Sequence, residues 1–327
     1  MAMAKTSLIT SLFAAALAMA LPGAASAQQP LPVNAGAAWA HAHSGIVIPA
    51  TLGGLARMRA TSFAEPELDI SQNFGSSDGN QQLTVYIFRN TNGAVPIWFA
   101  QAQRAISLRE DLKNPALAIA PVAFTPPGQA AASGLKAVFA PAGVEGIRST
   151  GVAPFAVGDW YVKMRATSAT QSPGELSASM EAALSEIRLP QTGAAVAAEP
   201  IADCATKLAF TGNAADSALP APTLTAGVQT PAPRLTAPRW CIDSVVGGNR
   251  AVYRPEGTAD RYLLAIGDNG KAVAVQPHAA GYYSANFIVA AQIVALVAQD
   301  RLPTPQRALD LVEKKRAAGT TATWPPR

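Results

Sequence analysis

Residues 55–63, LARMRATSF, alternate with a period of two: Ala56, Met58 and Ala60 on one side, Arg57, Arg59 and Thr61 on the other. That pattern predicts a half-buried strand. Residues 159–167, DWYVKMRAT, repeat it, with Trp160, Val162, Met164 and Ala166 opposite Tyr161, Lys163, Arg165 and Thr167. LTVYIFR (83–89) is the strongest strand in the chain, β-branched or aromatic almost throughout. Further strands are expected near 65–72, 117–124, 134–140 and 146–157, with turns at SSDGN and NTNG.

Two stretches carry helical spacing. Residues 96–112 begin with Pro96 and place Trp98, Ala102, Ala105, Ile106 and Leu112 on one side. Ser172-Pro173-Gly174-Glu175 is a capping box, followed by an apolar stripe of Leu176, Met180, Ala183, Leu184 and Ile187. Pro190 stops it.

Beyond Pro190 the periodicity fades into Ala-, Pro- and Thr-rich sequence, which reads as a linker over 191–238. The last segment, 239–327, reads as a small β-meander plus helices. Asn269-Gly270 between alternating runs is a hairpin signal, and SANFIVAAQIVALVAQ (284–299), apolar on nearly every side, is expected to be a buried helix. Thr304-Pro305 opens a final short helix. The expectation is an α+β protein: a mostly antiparallel sheet with packed helices over 28–190, the linker, and the smaller C-terminal unit.

The N-terminus changes the picture of where this chain works. Lys5, an apolar run from Leu8 to Leu21, and Ala25-Ser26-Ala27 have the form of a secretory signal peptide over 1–27, with a mature chain from Gln28. The two cysteines, Cys204 and Cys241, then suggest one disulfide and a periplasmic or secreted product. No segment of the mature chain is long and apolar enough to be a spanning helix. The formal charge is +4 and the basic residues are scattered, which argues against a nucleic-acid surface.

The chemistry-bearing candidates are few. RMRATS (57–62) returns as KMRATS (163–168), but the flanks differ, so no supersecondary unit is repeated. Were the two strands neighbours, with Met and Ala inward, Arg57, Arg59, Lys163 and Arg165 would share an outward face. Like charges across strands are unfavourable, so local acids (Glu65, Glu67, Asp69) or an anionic ligand would have to compensate. His41 and His43 form an HAH pair that a metal site would need to complete with a third ligand. Gly75–Gly79 matches G-x-S-x-G around Ser77, and Ser133–Lys136 matches S-x-x-K, but neither has its expected strand and helix context. No phosphate-binding loop or dinucleotide fingerprint occurs, and no cofactor is implied.

The expectation is an exported, non-catalytic binding or accessory protein for a small anionic ligand or an envelope partner. The alternatives are a periplasmic hydrolase, with Ser77 or His278 as participants, and a metal-handling protein using His41 and His43.

Overall fold

The computed structural model describes residues 28–218, 235 and 237–325. The expected signal peptide and part of the expected linker lie outside them. The described chain is strand-dominated, with three α-helices. No described helix is long and apolar enough to cross a membrane.

Nine strands form the first sheet. They are β1 (Gln29–Pro30), β4 (Thr51–Leu52), β5 (Leu55–Ala64), β6 (Asp69–Gly75), β7 (Gln81–Arg89), β8 (Ala116–Phe124), β9 (Gly134–Ala140), β10 (Ser149–Val157) and β11 (Trp160–Ser168). Their order is β1-β5-β6-β7-β11-β10-β9-β8, with β4 also on β5 and every pair antiparallel. A two-stranded ribbon joins β2 (Trp39–Ala40) to β3 (Val47–Ile48). The second sheet is an antiparallel meander in chain order: β12 (Trp240–Gly247), β13 (Arg250–Pro255), β14 (Tyr262–Ile266), β15 (Ala272–Pro277), β16 (Tyr283–Ile288), β17 (Gln292–Leu296) and β18 (Ala317–Ala322).

Helix α2 (Pro173–Ser185) starts at the capping box, with Ser172 Oγ accepting from Glu175 N and Ser172 N donating to Glu175 Oε2. Leu176, Met180, Ala183 and Leu184 then pack on one face of the first sheet. Helix α1 (Val95–Ser107) packs on the other face through Ile97, Trp98, Phe99, Ala102 and Ile106. It ends before a 3-10 turn at Glu110–Leu112, so the expected helix to 112 breaks at Leu108.

The second sheet leans on that same face. Ala251, Ala265, Ala272 and Ala274 turn towards the first sheet and α1, and their small side chains allow close approach. Their neighbours Val252, Leu264, Val273 and Val275 face the opposite way, under α3 (Pro305–Glu313). Gln101 of α1 fastens the contact: its Nε2 donates to Asn249 O and Gly267 O, and its Oε1 accepts from the Tyr253 hydroxyl at 2.9 Å. A fully buried amide with all these partners costs little and fixes register.

Residues 284–299 are not a helix. They form β16, a turn and β17. Ile288 and Ile293 face the first sheet while Phe287, Val294 and Leu296 face α3's side. A strand covered on both faces is apolar throughout, which mimics a buried helix in sequence.

Cys204 and Cys241 form a disulfide, with Cα atoms 4.8 Å apart. The preceding segment pairs in parallel with β12, through Cys204 N to Ile242 O and Ile242 N to Ala202 O. The Pro/Ala-rich chain is therefore bound to the sheet at this point.

Candidate functional site

The two echo strands lie in one sheet but are not neighbours, since β6 and β7 separate β5 from β11. Their cations also have different fates. A bulge at Met58, between the register pairs Arg57–Phe74 and Arg59–Asn73, turns the chain so that Arg57 and Arg59 point to opposite faces. The expectation of Met and Ala inward with cations outward fails here: Met58 is 70% exposed and Arg57 only 6%. Arg57 sits among the N-terminal loops, donating to the carbonyls of Asn34, Ala37, Ile48 and Pro49. In β11, Met164 and Ala166 are inward as expected, but Lys163 is buried as well.

The remaining three cations share the face that looks towards the second sheet. Cross-strand register lays that face out in rows. Asp69, Phe88 and Tyr161 form the first. Thr61, Ser71, Tyr86 and Lys163 form the second, and Arg59, Asn73, Thr84 and Arg165 the third. Phe88 and Tyr161 belong to the core between the sheets, whereas Arg59 is exposed and Asn73, Thr84 and Arg165 are half-buried. The face thus runs from dry core to open surface within three rows.

The second sheet covers the middle of this run with one hairpin tip. Between β14 and β15, Asp268-Asn269-Gly270 reaches down onto β7 and β11, on the turn that the Asn-Gly signal predicted. Lys163 Nζ meets Asp268 Oδ2 at 2.7 Å and donates to Asp268 O at 2.9 Å. It also lies over the Tyr86 ring, 4.6 Å from the centroid. Asn269 Nδ2 donates to Asp69 Oδ2 at 2.8 Å. Gly270 has φ +87°, and a Cβ there would lie 3.3 Å from Arg89 O, so a larger residue would be both strained and crowded.

Burial dominates the electrostatics. It pushes Lys163 below the usual lysine range, against the pull of Asp268. Burial would raise Asp268, but Lys163 holds it low and ionised. Asp69 has no such direct cation, and burial raises it to about 6 despite the Asn269 hydrogen bond. Burial also raises Tyr86, with Arg165 opposing. Asp268 pairs with Lys163 and Asp111 with Arg109, and the charges of both acids also act on Arg165. Arg165 has a buried guanidinium nitrogen with no hydrogen-bond partner. Neither Arg59 nor Arg165 has an ion pair among the described residues. Of the local acids considered from sequence, only Asp69 reaches this face.

The histidines lie elsewhere, at the end of the first sheet. His41 is buried; its Nδ1 is 2.7 Å from Ser44 Oγ and its Nε2 2.9 Å from Glu67 O. His43 Nε2 is 2.8 Å from Pro66 O. A ring nitrogen facing a carbonyl carries a proton and has no lone pair for a metal. Trp160 packs against His41 edge-on at 4.5 Å, and Trp324 against His43 at 4.8 Å. Desolvation is the main reason His41 falls to about 4. Among the described residues no group of three or more His, Cys, Asp or Glu can hold a metal.

Ser77 occupies the turn between β6 and β7, a strand–turn–strand setting unlike a nucleophile elbow. His278 stacks on Tyr282 at 4.4 Å and accepts from Ala280 N. Lys136 turns away from Ser133 and donates to Ser177 Oγ at 2.7 Å while pairing with Glu181. An open hollow beside α2, bordered by Gln82, Gln171 and Ser179, contains no titratable side chain.

The chain matches no family model, no curated protein and no solved structure.

Proposed function

We propose that this is an exported, non-catalytic binding or accessory protein of the bacterial envelope, and that its ligand is anionic. The ligand would rest on the outer row of the first sheet's second face, with Arg59 and Arg165 as its charge partners. One observation carries the reading: Arg59 is exposed without an ion pair among the described residues, on a polar row that continues through the half-buried Asn73, Thr84 and Arg165. The disulfide and the form of residues 1–27 support export to the periplasm or beyond. In this reading Lys163 holds the two sheets together and does not touch ligand.

The test is thermal unfolding of the oxidised chain from Gln28 with phosphate, citrate and polygalacturonate. A ligand at a hundred times its dissociation constant stabilises by about 2.7 kcal/mol. The expected shift disappears at high salt. A flat response to all three anions removes the reading.

A further inference from the structure

We infer that the edge strand β8 pairs with β8 of a second copy of this chain, antiparallel about a two-fold axis at Ala120, so that the two first sheets become one. β8 (Ala116–Phe124) closes the end of the first sheet, with β9 on one side and, among the described residues, no strand on the other. The remaining sheet edges are guarded. The opposite end of the first sheet carries the two-residue strands β1 and β4. The segment at Cys204 lies along β12. Lys314-Lys315-Arg316 immediately precede β18. Short strands, covering chain and flanking cations each keep an edge from pairing with another molecule.

β8 has none of these devices. The chain carries a net positive charge, yet no charged side chain occurs from Asn114 to Leu135. Leu117 and Val122 are 48% and 42% exposed, and Ala116, Ala118 and Ala120 are exposed as well. A strand of nine residues is about 30 Å long, and an open apolar edge of that length is a template for another strand. Two copies of a positively charged chain can meet here without setting like charges against each other.

Side-chain size and strand shape select a second copy over an unrelated strand. With Ala120 on the axis, Leu117 stands opposite Ala123, Val122 opposite Ala118 and Phe124 opposite Ala116. Each of these large side chains then faces an alanine, as interdigitated packing requires, and Ile119 meets Pro121. Register with β9 sets Leu117 beside Phe139 and Ala123 beside Leu135, both in the core between the sheets, so this pair falls on one face. Pro121 suits the same register. With Ala120 turning its N–H and C=O across the axis, Pro121 turns its nitrogen away, and its missing donor costs nothing at the new junction. The register shifts against β9, between Leu117 and Ile119 and between Ile119 and Val122, sharpen the twist of β8. A copy of β8 carries the identical twist, whereas a regular strand would not follow it.

The test is sedimentation equilibrium of the oxidised chain from Gln28. A concentration-dependent dimer and nothing larger is expected, because a two-fold contact closes on itself. Ala120→Lys and Ala120→Glu each set like charges against each other across the axis and should weaken self-association by tenfold or more. Ala120 is exposed, so the melting temperature of the dilute monomer should not change. An equimolar mixture of the two variants should restore the dimer as a heterodimer, which a misfolded variant could not do. A chain that stays monomeric at every concentration overturns the inference. So does a dimer indifferent to both substitutions, a mixture that stays monomeric, or open-ended growth. Arg59 lies towards the other end of the sheet, so none of these outcomes touches the anionic-ligand reading.

Discussion

Two regions join the first sheet to the C-terminal half, and they do so by opposite chemistry. At the hairpin plug, Lys163 and Asp268 form a buried ion pair, with Asn269 bonded to Asp69. At the aromatic clasp, Trp160, His41, His43 and Trp324 pack ring on ring. Arg89 completes the clasp by lying over Trp324 and donating to Ala290 O and Thr323 Oγ1. The plug depends on a charge being met, whereas the clasp depends on a histidine staying neutral. The charged joint is therefore the more specific and the more fragile, because removing one partner leaves the other ionised and buried.

That contrast is broken most directly at Lys163. Lys163→Ala should destabilise the fold by about 3–5 kcal/mol in urea unfolding, by stranding Asp268 in the interface. Lys163→Met combined with Asp268→Asn removes both charges and should recover a large part of that loss. Equal destabilisation by the single and double variants would show that packing, and not the unmet charge, is what matters.

The two regions also carry opposing proton linkage. His41 has a folded value near 4 against an ordinary value of 6.5, so its stabilising contribution is complete above 6.5 and is lost as pH falls towards 4. Asp69 is raised from 3.8 to about 6, so its contribution is complete below 3.8 and is lost as pH rises to 6. Each shift corresponds to roughly 3 kcal/mol at the tabulated worth of a pKa unit. Over the shared window, about pH 4 to 6, these two slopes nearly cancel. Asp69→Asn should therefore lose stability on acidification where the wild type holds, and His41→Gln should gain it. Parallel pH profiles for the two variants would show that the two groups do not carry this linkage.

Much of this was legible along the chain and some was not, for definite reasons. The capping box at Ser172, the Asn269-Gly270 turn, the β-branched and aromatic content of β7 and the alternation of β11 are local signals, and each produced its element. Residues 284–299 carry a helix-like pattern because burial on both faces erases the period that separates strand from helix. The docking of the Asp268 tip onto Lys163 joins positions 105 residues apart, so no local pattern announces it. The bulge at Met58 had no Gly or Pro to mark it, and it alone sorts Arg57 from Arg59.

That sorting sets the smallest expected effect and the sharpest use of the comparison. The echo RMRATS/KMRATS contains one buried cation per strand, Arg57 and Lys163, and one at the end of the outer row, the exposed Arg59 and the half-buried Arg165. Arg59→Gln should change stability by no more than about 0.5 kcal/mol, as substitutions outside buried networks do. Any change should be a gain that shrinks with added salt, since it removes one of the three cations on that face. If the substitution costs several kcal/mol, as at Lys163, Arg59 already has its partner within the fold. The outer row would then be a third joint in the structure and not a place for a ligand.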